Sequence, residues 1–305
     1  MNKFAIVLDS AADIPAPLVE MYDLRVVPLH VTFGSTEYSD GVDIEIGEFL
    51  NRLEGVDELP ITSQPAPADF IDVYNKLADE GYAAILSIHL SAALSGTYEC
   101  ARTVAAAISE ARGIRIEAID SCSATVGEGA MVLEAACIAA AGGTIDEAIE
   151  RVENIRRTHR IYFIPDSLTN LVKGGRASKF QGLATSVLNL KIVVTLTEAG
   201  GIEVLHKAKG MKNAVSYIVK LMAERTREVG PSVYYKLHTK AYEALDHMEH
   251  AIEKVDAQVR FLTVATIGPT IATHVGLHAV GLFTYPEEFH NPELDNIAEY
   301  LTPDF

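Results

Sequence analysis

The sequence predicts an α/β fold of two domains, the first a parallel sheet flanked by helices and the second a mixed or antiparallel sheet with helices. Three observations predict it. Short apolar segments rich in Val, Ile and Leu alternate with helix-patterned segments through the first half, as strands buried on both faces of a parallel sheet do. In the second half, "LTEAGGIEVL" at 196–205 joins two strand-like segments through a Gly-Gly turn, the signal of an antiparallel hairpin. The length, 305 residues, suits two moderate domains with a sizeable core.

Taken in order, strands are predicted at 4–8, 25–33, 83–88 and 114–119, each short and aliphatic. Helices are predicted at 46–53, 68–79, 96–111 and 126–141, and a polar helix at 144–157 closes the first domain, 1–158. The second domain, 159–285, reads as strands at 161–164, 191–196, 202–208, 232–238 and 259–265, with helices at 213–229 and 241–255. The last segment, 286–305, carries six acids and no Lys or Arg, and is expected as an acidic surface appendage. In parallel α/β sheets ligands sit at the C-terminal strand ends. Asp9-Ser10, 87–95 and Asp120-Ser121 are brought together there by topology.

Composition narrows the function classes. Hydrophobic residues make up 49% and charged residues 22%, as in a globular chain rather than a disordered one. No apolar run reaches the ~18–20 residues of a membrane span, so no stable membrane insertion is expected. The N-terminus runs directly into an apolar strand, unlike a signal peptide, which points to the cytoplasm. Cys100, Cys122 and Cys137 lack C-x-x-C spacing and read as reduced, buried side chains. The net charge of −17 argues against nucleic acid as a partner. Against that background, residues 171–212 form a basic island of seven cations and two acids.

Several motifs carry no chemistry. There is no G-x-x-x-x-G-K-[ST], and "GEGAMV" at 127–132 lacks the third glycine of a dinucleotide fingerprint and reads as a helix start. "HVGLH" sets His274 and His278 four apart, on one face if helical, but without the glutamate of H-E-x-x-H or a third ligand. No metal and no cofactor are expected.

The stretch "AAILSIHLSAALSGTYECA" at 83–101 is more informative. An apolar strand gives way to Ser91, Ser95 and Thr97, and Gly96 opens a helix. A hydroxyl-rich turn at a helix N-terminus holds anions through free N–H groups and the helix dipole. "ITSQPAPADF" at 61–70 offers Thr62 and Ser63 ahead of another helix start; by itself a capping loop explains it. "SLTNLVKGGRASKF" at 167–180 clusters Lys173, Arg176 and Lys179 around two glycines, which a helix C-cap and restart explain while leaving the cations unexplained.

Together, "DSAAD" (9–13), "TSQPAP" (62–67), "LSGTY" (94–98), "DSCSATVGEG" (120–129), "KGGRAS" (173–178) and "HVGLHAVG" (274–281) occur in an order that resembles the DegV family, across roughly residues 3–284. The resemblance implies a two-domain DegV-like fold that binds a long-chain fatty acid in a tunnel between its domains. Some members are the acyl-carrying subunit of the bacterial fatty acid kinase. It implies further that Thr62 and Ser95 hold the carboxylate, that His274 completes the polar site, and that Arg176 lies on the side meeting the kinase subunit. Ser63, Gly96 and Thr97 belong to the same two turns and are expected to contribute to binding. Lys173 and Lys179 flank Arg176 as a docking edge.

Chemistry and resemblance converge on a carboxylate, held by neutral hydroxyl donors and helix N–H groups. The expected function is therefore a lipid-binding protein that presents its ligand to a partner kinase and is not itself an enzyme. The alternative is a hydrolase or acyltransferase in which His274 activates Ser95. The context of Ser95 lacks a G-x-S-x-G elbow, and no acid is evident to orient the histidine. A small-molecule sensor is a third, weaker reading.

Overall fold

The computed structural model describes residues 4–56, 58–166, 168–183 and 189–297. The first half runs β1 (Phe4–Asp9), α1 (Ala16–Met21), β2 (Arg25–Val27), β3 (His30–Phe33), β4 (Thr36–Ser39), α2 (Ile46–Glu54), β5 (Ile61–Ser63), α3 (Pro67–Asp79), β6 (Ala84–His89), α4 (Thr97–Arg112), β7 (Arg115–Asp120), α5 (Val126–Ala140) and α6 (Ile145–Thr158). The second half follows as β8 (Arg160–Ile164), α7 (Leu168–Lys173), β9 (Leu190–Leu196), β10 (Ile202–Lys209), α8 (Met211–Val229), β11 (Ser232–His238), α9 (Tyr242–Ile252), β12 (Val259–Thr266), α10 (Pro269–Val275) and β13 (Val280–Pro286).

The first sheet has the order β2-β1-β6-β7 and is parallel throughout. All six residues of β1 and of β6 are buried, which is why their sequences show no alternation. One face packs on α3 and α4 through Phe70, Tyr74 and Val104. The other packs on α5, whose residues are buried from Val126 to Cys137; a helix apolar all round belongs in a core. The second sheet has the order β10-β9-β8-β13-β11-β12, antiparallel except for the β11–β12 pair. The expected α/β architecture is the one observed. The largest apolar cluster joins Leu8 and Met131 of the first half to Ile161, Tyr235 and Phe283 of the second, so the halves share one core.

Four expectations need correction. The single strand at 25–33 is two strands in different sheets: Pro28 offers no N–H to a ladder, β2 joins the parallel sheet, and β3 pairs β4 and β5 in a small antiparallel sheet. The strand β13 was not expected, yet it lies between β8 and β11. Its seven residues are all buried, but Gly281 and the terminal Pro286 interrupt the aliphatic run that marks β1 and β6. The paired histidines do not share a helix face, because α10 ends at Val275, before His278. The acidic C-terminal segment is not an appendage in its described part. Glu134 of α5, fully buried, accepts Arg151 Nη1 (2.8 Å), Tyr285 Oη (3.0 Å) and Asn291 N (3.0 Å), while Leu294 joins the core.

The predicted hairpin is present, with Leu196 opposite Ile202. Gly200 at its turn has φ +74, and a Cβ there would meet Ser91 Oγ at 1.9 Å. The turn is thus seated against the loop after β6, and Ser91 Oγ donates to Gly200 O at 3.1 Å. Among the described residues no helix is long and apolar enough to cross a membrane.

Candidate functional site

Loops leaving the C-terminal ends of the parallel strands meet the inner face of the second sheet, and an apolar cavity with an open mouth lies between them. Leu29 and Leu90 line it from the first half, and Ile161, Leu196, Leu237 and Ile271 from the second. It measures about 760 Å³ when the mouth is counted, and its lining is mostly apolar.

Polar groups gather at one part of the wall. β5 is the edge strand of the small sheet, with Thr62 opposite Val31. Thr62 Oγ1 lies 2.9 Å from Nε2 of His274, on the last turn of α10. The imidazole ring lies so close to Gly174 that a Cβ at 174 would fall 2.4 Å from His274 Nδ1. That contact explains the first glycine of "KGGR". Burial, and then the nearby Arg176 charge, push the His274 pKa down to about 4. The ring is neutral at physiological pH, and its buried Nδ1 has no partner among the described residues.

Ser95 and Ser63 also line the cavity. The Ser95 hydroxyl is 2.9 Å from Thr97 Oγ1 and accepts from Thr97 N at 3.3 Å, closing a local turn just ahead of α4. Gly96 and Thr97 were expected in the site, and neither lines the cavity. Thr97 is fully buried with its hydroxyl on Ser95. Gly96 is covered by Gln64, whose Oε1 would lie 2.1 Å from a Cβ at 96. The Gln64 side chain lies over the "LSGT" turn and is itself in the lining, which the sequence did not suggest.

Arg176 differs most from expectation. In place of an outward edge, it turns inward: Nε donates to Leu94 O (3.0 Å) and Nη1 to Gly174 O (2.6 Å). It is half-buried, burial lowers its pKa, and no carboxylate pairs with it among the described residues. Two unlike spaces share Arg176, Thr62 and His274: the inner cavity and an open outer cleft that Lys173 also lines. Lys173 and Lys179 are exposed, the latter with its ammonium 5.0 Å from the centre of the Phe180 ring.

One arrangement elsewhere has the geometry of a catalytic triad. Ser87 Oγ is 2.7 Å from His89 Nε2, and His89 Nδ1 is 3.1 Å from Asp9 Oδ2. All three are fully buried, Ser87 also bonds Tyr74 Oη at 2.8 Å, and Asp9 accepts from Leu90 N at 3.0 Å. With no path for a substrate, the set ties strand ends together. The other expected strand-end groups are spent likewise. Ser10 Oγ accepts Leu29 N, and Asp120 Oδ1 accepts Cys122 N. No group of three or more His, Cys, Asp or Glu side chains that could hold a metal occurs among the described residues.

Fold and site define a class: an α/β protein of two large sheets and one small one, with an apolar pocket at the seam of its halves, bordered by hydroxyl, imidazole and guanidinium groups. Comparison with known proteins specifies the family. The family model described as "Uncharacterised protein, DegV family" matches residues 3–287. A DegV domain-containing protein of Caldanaerobacter subterraneus subsp. tengcongensis is 35% identical over 285 residues, spanning 93% of this chain and 99% of the relative. The chain belongs to the DegV family. Among solved structures, a fatty-acid-binding DegV family protein from Thermus thermophilus superimposes with a TM-score of 0.83 at 31% identity, over 93% of this chain and 99% of that one. DegV from Bacillus subtilis, described as a fatty acid binding protein, gives 0.81 at 28% identity, over 93% and 99%.

Proposed function

We propose that this protein binds a long-chain fatty acid in the cavity between its two domains, 1–158 and 159–285, and presents the carboxylate to a separate kinase subunit in the cytoplasm. The observation that carries the reading is the apolar slot bordered by Thr62, Ser95, His274 and Arg176. An alkyl chain gains by leaving water for such a slot, about 0.8 kcal/mol per buried methylene. A carboxylate needs donors at one end, and these side chains supply them. The relatives from T. thermophilus and B. subtilis are described as fatty-acid-binding, which supports the same ligand. Because Thr62, Arg176 and His274 also border the outer cleft, a headgroup held there faces the side from which a phosphoryl donor could approach. Lys173 and Lys179 remain the candidate docking edge for that partner.

The protein purified from its host should carry a long-chain fatty acid, read by mass spectrometry of an organic extract. An extract without fatty acid, together with no binding of added palmitate or oleate, would refute the reading.

Ser95→Ala and Thr62→Ala should each weaken binding about ten- to a hundredfold, the effect of losing one hydrogen bond to a charged group at roughly 1.5–3 kcal/mol. The hydrolase reading predicts instead a covalent acyl adduct on Ser95 after incubation with an activated acyl ester, visible in the intact mass. The geometry disfavours it. The hydroxyl of Ser95 is engaged with Thr97, and the imidazole of His274 is engaged with Thr62.

A further inference from the structure

One wall of the cavity is α10. His274 stands near its C-terminal end, Ile271 lies one turn earlier, and Ile267 just precedes the helix, all three in the lining. At the helical rise per residue that wall is roughly 10 Å long. Two carboxyl groups of the first half hold its start. Asp13 Oδ2 accepts from Gly268 N at 3.0 Å, and Asp40 Oδ2 accepts from Thr270 N at 3.1 Å and from the Thr270 hydroxyl. A Cβ at Gly268 would meet Asp13 Oδ1 at 2.1 Å, so the fit is close. Glycines bound the helix on both sides, Gly276 with φ +81.

These carboxyls lie in an acidic interior. Asp40 is 3% exposed and Asp13 is partly buried. Asp13 and Asp40 repel each other, Asp9 repels both from the end of β1, and Glu128 of α5 faces Asp13 and Asp9. Asp9 lies 3.1 Å from His89 Nδ1, whereas neither Asp13 nor Asp40 has an ion-pair partner among the described residues. His30 of β3, the exposed Glu48–Arg52 pair of α2 and Lys173 of α7 belong to the other elements packed on α10. His274 and Arg176 stand at its far end.

We propose that Asp13 and Asp40 are positioning residues for the lipid site: they set where α10 places Ile271 and His274, and seating that wall on the ligand takes up a proton at this pair. The proposal rests on the fatty acid reading of the cavity. The slot opens at a mouth, and α10 is the wall that carries both Ile271 and His274 along it. A short helix between glycines, tied to the opposite half by Asp13, Asp40 and Thr62, can shift against a bound ligand without breaking either large sheet.

The direction follows from burial. Desolvation raises Asp40 to about 6 and raises Asp13 well above the usual carboxylate range; contact with water in the unseated state returns both toward ordinary values. The state with the higher pKa is favoured as pH falls, so mild acid seats α10 and alkali loosens it. For Asp40 the window runs from about 6 down toward its ordinary value near 3.8. Each pH unit inside it is worth up to about tenfold. A protonated carboxyl keeps an acceptor oxygen for the Thr270 N–H, so protonation does not break the grip.

The test is release of bound cis-parinaric acid into excess albumin, followed by fluorescence between pH 8 and pH 5. Wild-type release should slow at least fivefold toward pH 5. Asp40→Asn, always uncharged, should release slowly at both ends with a flattened profile. Thr270→Val removes a donor that lowers the Asp40 pKa and should move the midpoint upward; it decides the matter if Asp40→Asn fails to fold. The ligand carboxyl and His274 titrate alike in all three proteins, so differences between profiles report Asp40. Identical profiles, or faster wild-type release at pH 5, overturn the proposal and leave the lipid reading intact. Failure of every protein to bind the probe at any pH overturns the lipid reading itself.

Discussion

Arg176→Glu should lower fatty acid affinity at least a hundredfold, the largest loss expected from any single change at the site. The guanidinium is anchored by Leu94 O and Gly174 O, lines the cavity, and meets no carboxylate of its own chain among the described residues. In the proposed reading, a ligand carboxylate at Thr62 and Ser95 supplies the counter-charge. Losing a hydrogen bond to a charged group costs roughly 1.5–3 kcal/mol. A like charge at ~4 Å adds up to about 4 kcal/mol at a partly buried site, part of it screened because Arg176 is half-exposed. The reversal should also abolish acyl-phosphate formation in an assay with the partner kinase, because no ligand is held. Unchanged affinity for oleate with phosphorylation alone lost would make Arg176 a docking residue and remove it from the carboxylate site. Lys173→Glu should do the opposite, leaving affinity close to wild type and impairing only phosphorylation.

Glu134→Ala should destabilise the fold more than any substitution in the pocket wall. Its carboxylate is fully buried and gathers Arg151, Tyr285 and the backbone of Asn291. His290 completes the cluster, with Nδ1 3.0 Å from Tyr285 Oη and Nε2 2.9 Å from Asp295 Oδ1. Removing one member of a buried charged network typically costs about 3–5 kcal/mol. Arg151 retains some water contact, which favours the lower end, roughly 3 kcal/mol. In a chain of this size that corresponds to a Tm lower by roughly 5 °C. The carboxylate joins α5 and α6 to the C-terminal segment, so limited proteolysis should cut first near residues 287–295. Glu134→Gln keeps an acceptor and should lose about half as much. A variant with wild-type Tm and wild-type protease resistance would show that the segment is held by Leu294 and its apolar neighbours instead.

Local signals carried much of the architecture. Short aliphatic strands alternating with helical segments reveal a parallel sheet because βα alternation is written residue by residue in hydrophobic period and turn chemistry. The Gly-Gly hairpin at 200–201 was legible for the same reason. The order of six short motifs pointed to the family, and "LSGTY" marked a hydroxyl-rich helix start that does line the cavity through Ser95. Where local signals were weak, the reading slipped. Pro28 ended a strand that its apolar neighbours would have continued, and β13 was missed because Gly281 and Pro286 interrupt the aliphatic run that marked the equally buried β1 and β6.

By itself, then, the sequence determined the fold class, the placement of hydroxyls at strand ends, and the absence of nucleotide and zinc motifs. Only the tertiary structure decided which of those hydroxyls share a site. Thr62 meets His274 across 212 positions of chain, Gly174 is small because that imidazole lies on it, and Gln64 displaces Gly96 from the lining. It also turned Arg176 inward and drew the acidic C-terminal segment onto Glu134. Period and capping are properties of neighbours a few residues apart. The contacts that build the pocket are made between halves sharing one core, and no local pattern encodes how two such surfaces meet.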